Sequence, residues 1–88
     1  MSVIFIGIDP GSEQGESPTV WADTDRQELL IQGWTATSEE ETRCYAEGGT
    51  ASGHTSGVPD HETIVRIPAR MASIVRKALD ALESPAHR

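Results

Sequence analysis

Near the start of the chain, Asp9 follows the apolar run Val3-Ile4-Phe5-Ile6-Gly7-Ile8 and precedes Pro10-Gly11-Ser12. A strand that delivers a carboxylate beside a glycine turn is one way to hold a divalent metal near a phosphate. That would be nuclease or phosphotransfer chemistry. Two-metal sites need several carboxylates converging on ions about 4 Å apart. No later strand-like run carries a second or third acid, and Glu39, Glu40 and Glu41 fall at a predicted helix start. Asp9 to Ser12 therefore reads as a turn that closes a strand. A metal-dependent nuclease-like site at Asp9 is the remote alternative.

Other residue types point to chemistry no more firmly. Cys44, His54, Asp60 and His61 are potential zinc ligands, but their successive spacings are ten, six and one. Structural zinc sites bring ligands in close pairs. Nothing in the sequence orients Cys44 and a histidine as a nucleophile pair. The chain has neither a Gly-x-Ser-x-Gly elbow nor a phosphate-binding glycine loop with its lysine. The reading is a protein with no catalytic residue, no metal site and no cofactor. The candidates that remain are contact residues. Arg66, Arg70, Arg76 and Lys77 cluster near the C-terminus, and Trp21 and Trp34 are two of four aromatics. Arginines suit phosphates or carboxylates. Tryptophans either pack a small core or anchor a partner.

Charge sharpens this picture. Residues 1–62 hold 12 acids and 2 bases, a balance of −10, while residues 63–88 hold 2 acids and 5 bases, a balance of +3. The acidic body opposes broad contact with nucleic acid. The basic end has three possible counterparts: DNA, an acidic partner, or the acidic half of the same fold. Val, Ile, Leu and Phe together make 17 of 88 residues, so the core must be small. One cysteine allows no disulfide within the chain and suits a reducing cytoplasm. No run approaches the 18 apolar residues of a membrane span.

The elements that must position these residues follow from periodicity. Val3–Ile8 reads as a strand by its β-branched content. Its lack of polar alternation makes it either covered on both faces or a sticky edge. Thr19–Thr24 and Glu28–Trp34 read as a hairpin around Asp25-Arg26-Gln27. Ser38 with Glu41 has the form of a capping box, opening a short helix to about Ala46. Glu62–Ile67 alternates as a strand. After Pro68, Met71, Ile74, Val75, Ala78, Leu79 and Leu82 recur at helical spacing. The expected fold is α+β, a small mostly antiparallel sheet with the C-terminal amphipathic helix packed on it. Residues 1–88 are expected to form one small domain, with 9–18 and 48–61 as flexible loops and 84–88 as a frayed tail. The Val3–Ile8 strand offers a route to a homodimer.

Two resemblances bear on function. Gly7-Ile8-Asp9-Pro10-Gly11 resembles the first motif of the RuvC-type resolvases and related ribonuclease-H-like folds, over about ten residues. That family implies several metal-binding carboxylates on a much longer α/β domain, and only Asp9 has a counterpart here. Over about residues 9–82, "SPTVWADTDRQELLIQGW" and "ETIVRIPARMASIVRKAL" resemble small acidic proteins of actinobacteria, typically encoded beside helix-turn-helix developmental regulators. The second resemblance implies a non-enzymatic accessory protein whose partner is such a transcription regulator. A DNA- or RNA-binding module using the basic C-terminal helix is the alternative.

Overall fold

The computed structural model describes residues 3–11, 17–47 and 57–83. Residues 12–16 and 48–56 of the expected loops, and the whole expected tail at 84–88, lie outside the described residues. The chain divides into two compact units, Met1–Gly33 with Ile67–Arg88, and Trp34–Arg66.

The first unit is the expected sheet with its helix. Strands β1 (Val3–Ile8), β2 (Thr19–Asp23) and β3 (Glu28–Gln32) pair antiparallel in the order β1-β2-β3. The ladder runs one residue past β1, where the Asp9 amide donates to the Pro18 carbonyl at 2.9 Å. Asp23 closes the β2–β3 turn by accepting from the amides of Asp25 and Arg26, each at 3.0 Å. Gln27 takes the left-handed conformation there, with φ 57°, and its side-chain amide donates to the Thr24 carbonyl.

Alternation places Val20, Ala22 and Leu29 on one face of this sheet. That face meets the C-terminal helix. The helix opens as a 3-10 turn over Ala69–Met71, with Pro68 before it, and continues as an α-helix over Ala72–Glu83. Val20, Met71 and Ala78 are wholly buried together, with Ile6, Leu29, Ile67, Ile74 and Val75 packed around them. The helix crosses close to β1 at Gly7, where a Cβ would stand 3.0 Å from Ile74. Leu79, expected on the buried stripe, is instead exposed.

In the second unit, β4 (Trp34–Thr35) pairs antiparallel with β5 (Val65–Arg66), and helix α1 spans Ser38–Ala46; the helix over Ala72–Glu83 is α2. The expected long strand Glu28–Trp34 is broken. Gly33, a residue with no side chain to pack in a strand, separates β3 in one sheet from β4 in the other. The expected strand Glu62–Ile67 shrinks to Val65–Arg66 because its partner β4 is only two residues long.

The cap of α1 is one residue earlier than expected. Thr37, not Ser38, is the N-cap. Its hydroxyl accepts from the Glu40 amide at 3.1 Å, and the Glu40 carboxylate accepts from the Thr37 amide at 2.8 Å. Both Thr37 and Ser38 have a glutamate three residues on, so the sequence fits either register. Thr37→Ala should cost about 0.5–2 kcal/mol of local helix stability. Loss of amide hydrogen-exchange protection in α1 would show it.

Candidate functional site

Asp9 ends β1, and Arg70 sits in the turn that opens the C-terminal helix. The two meet across 61 residues of chain. Arg70 Nε donates to Asp9 Oδ1 at 2.6 Å, and its Nη2 donates to Oδ2 at 2.7 Å. Such a two-pronged pair is the strong form of a charged hydrogen bond. Asp9 Oδ1 also accepts from the Gly11 amide at 3.0 Å, which fixes the turn after β1. The Asp9 side chain is fully buried, while Arg70 keeps 49% of its side chain in water. The hydrogen bond to Asp9 pushes the Arg70 pKa further up. A Cβ on Gly11 would stand 2.5 Å from Arg70 Nε, so glycine is what lets the guanidinium lie there. The carboxylate that resembled a metal ligand thus faces a guanidinium with both oxygens.

Arg66 is also engaged within the chain. Its Nε lies 3.2 Å from Glu40 Oε1, and its Cζ stands 5.6 Å from the centre of the Trp34 ring. Glu40 therefore joins the start of α1 to β5. The Thr37 backbone amide, more than any other group, holds the Glu40 carboxyl below its usual pKa, and Arg66 and Arg43 add to this. A lowered carboxylate contributes stability above its ordinary pKa and loses it as pH falls through the lower folded value. Acidification should therefore loosen the α1 cap. Trp34 is 38% exposed.

Arg76 and Lys77 are exposed on α2 and make no ion pair among the described residues. Of the four bases read as one contact group, two are committed to internal pairs and two are open to solvent.

The sheet face away from α2 carries what the sequence reading missed. Phe5, Trp21 and Leu30 are in register on three adjacent strands. They form one apolar row across that face. Phe5 is 59% exposed and Leu30 39%, with Val3 and Ile8 also exposed on β1. The spacing carries a signal for it: Trp21 alternates with Val20 and Ala22, and Leu30 with Leu29 and Ile31. The pairing register, which no local pattern gives, brings them together.

The second unit has an open cleft of about 670 Å³ whose lining includes Ala36, Glu40, Cys44, Ile64, Val65 and Arg66. Cys44 is a free, exposed thiol. Among the described residues, no group of three or more His, Cys, Asp or Glu side chains is placed to hold a metal ion. His54 lies outside them. No described helix is long and apolar enough to cross a membrane. Comparison of the chain with protein families, with curated proteins and with solved structures finds no match.

Proposed function

We propose that this protein is a non-enzymatic regulatory accessory protein that binds a helix-turn-helix transcription regulator in the cytoplasm. The observation that carries the binding reading is the apolar row Phe5–Trp21–Leu30 on the sheet face opposite α2, in which Phe5 and Leu30 are exposed and Trp21 is half-buried. Apolar residues gathered this way on a soluble surface mark a contact site, and aromatics are the usual anchors of one. The choice of partner rests on charge and resemblance. The balance of −10 over residues 1–62 complements the basic surface with which a DNA-binding regulator meets phosphates. The resemblance of residues 9–82 to accessory proteins encoded beside such regulators points the same way.

The nucleic-acid alternative is weakened by the internal pairs. With Arg70 on Asp9 and Arg66 on Glu40, Arg76 and Lys77 are left to meet phosphates. Each neutralised phosphate contributes roughly one unit to the salt slope, so two bases give little affinity. The nuclease reading at Asp9 is weakened too, because the carboxylate is turned to Arg70.

Affinity capture from native extract, with and without nuclease, tests the proposal. Recovery of a helix-turn-helix protein that survives nuclease supports it. Recovery of nucleic acid, or of proteins lost on nuclease treatment, overturns it in favour of the basic helix.

A further inference from the structure

We infer that the cleft of the second unit binds a small zwitterion with an apolar body, the chemistry of an apolar amino acid, held between Arg43 and Glu47. This site is separate from the Phe5–Trp21–Leu30 row and independent of the partner reading.

The cleft lies between α1 and the β4–β5 ribbon. One wall is a single face of the helix: Arg43, Cys44 and Glu47 follow Glu40 at three, four and seven residues. The other wall is apolar. It holds Val65 and the pair Ala36 and Ile64, where the Ala36 amide donates to the Ile64 carbonyl at 3.0 Å. Helix α1 buries no residue, and Ala36 is the only buried one among the described residues of this unit. The two walls therefore stand apart with no packed core between them. Both ends of the helix are nonetheless held. The Glu40–Arg66 pair ties its first turn to β5 at 3.2 Å, and near its last turn the Tyr45 hydroxyl donates to the Gly57 carbonyl at 2.9 Å. A cleft of about 670 Å³ fixed in this way has the size of a small-ligand site.

Charge and polarity select the occupant. Residues 34–66 hold six acids and two bases, and both bases, Arg43 and Arg66, line the cleft. Arg66 is engaged with Glu40. Arg43 and Glu47 make no ion pair among the described residues. The walls therefore offer one guanidinium, one carboxylate and an apolar floor. A guanidinium takes a carboxylate, and a carboxylate takes an ammonium. Ala36, Ile64 and Val65 take a hydrocarbon body. An apolar amino acid carries all three groups. A net anion would be repelled by the surplus of acids in this unit. Residues 48–56 contain no large apolar side chain that could fill the cleft instead.

Titration of the purified chain with L-phenylalanine to about 10 mM, followed by amide chemical shifts, tests this. Saturable shifts at Ala36, Cys44, Ile64 and Val65 are expected, with a Kd of about 1 mM or below. 3-Phenylpropionate lacks the ammonium and phenethylamine lacks the carboxylate, so each should bind about tenfold more weakly. Glu47→Gln should reduce L-phenylalanine to the level of 3-phenylpropionate, and Arg43→Gln to that of phenethylamine. Both residues are exposed, so both variants should keep the wild-type circular dichroism spectrum. Cys44 is the one cysteine and its thiol is exposed, so alkylation by iodoacetamide gives a second readout. L-Phenylalanine should slow that reaction in the wild type and in neither variant. Absence of saturable shifts over this range, equal binding of the three compounds, or losses that ignore which charge was removed overturns the inference. Partner capture is measured separately with a Leu30 variant in the other unit, so failure of either reading leaves the other standing.

Discussion

Met71→Ala should lower the stability of the sheet–helix unit by about 2–5 kcal/mol, the range for truncating a buried methionine or leucine to alanine. Met71 is fully buried and is among the largest wholly buried side chains of the chain, beside Val20 and Pro18. It fills the space where the helix begins, against Val20 on the central strand. A domain of this length has only roughly 4–13 kcal/mol in total. The loss should appear as a fall of roughly 10–30 °C in Tm by far-ultraviolet circular dichroism. Met71→Leu, which nearly keeps the volume, should cost less than about 1.5 kcal/mol. Equal melting of wild type and Met71→Ala would mean that the helix does not dock through Met71.

The second large effect falls on the Asp9–Arg70 pair. Asp9→Ala should destabilise by about 1–3 kcal/mol, because the buried carboxylate ties the turn amide of Gly11 and the guanidinium together. Arg70→Ala should act in the same direction by leaving a buried carboxylate without its guanidinium. Since Arg70 is half in water, the cost stays below that of a fully enclosed pair. The double variant should cost less than the sum of the two single variants, which is the signature of a direct interaction. Gly11→Ala should reproduce part of the loss by displacing Arg70. Magnesium or manganese should leave the melting temperature of the wild type unchanged. A metal-induced rise that Asp9→Asn abolishes would instead make Asp9 a ligand and revive the nuclease reading.

What the sequence shows well is periodic. The apolar run of β1, the alternation in β2 and β3, and the helical repeat from Met71 to Leu82 are local patterns, and each produced the element it predicted. The helix docks because its apolar stripe meets the sheet face that carries Val20 and Ala22, where Val20, Met71 and Ala78 are buried together. Less legible were features set by pairing over distance. Nothing near Arg70 says that its partner is Asp9. The basic group therefore read as one surface, when half of it is internal. Trp34 read as a continuation of β3, but Gly33 ends that strand and Trp34 enters another sheet beneath Arg66. The apolar row of Phe5, Trp21 and Leu30 depends on strand register, which residue type and spacing leave open.

The most direct test of the central claim compares affinity capture by the wild type and by Leu30→Lys, in nuclease-treated native extract with identification by mass spectrometry. Leu30 is exposed and lies on β3, away from the β1 edge, so the variant should fold with an unchanged spectrum and melting temperature. The expected result is a helix-turn-helix regulator recovered by the wild type and reduced by about tenfold or more with Leu30→Lys, the loss of roughly 1.4 kcal/mol or more at an anchor position. Equal recovery by both chains, or recovery of nucleic acid in place of a regulator, would contradict the account.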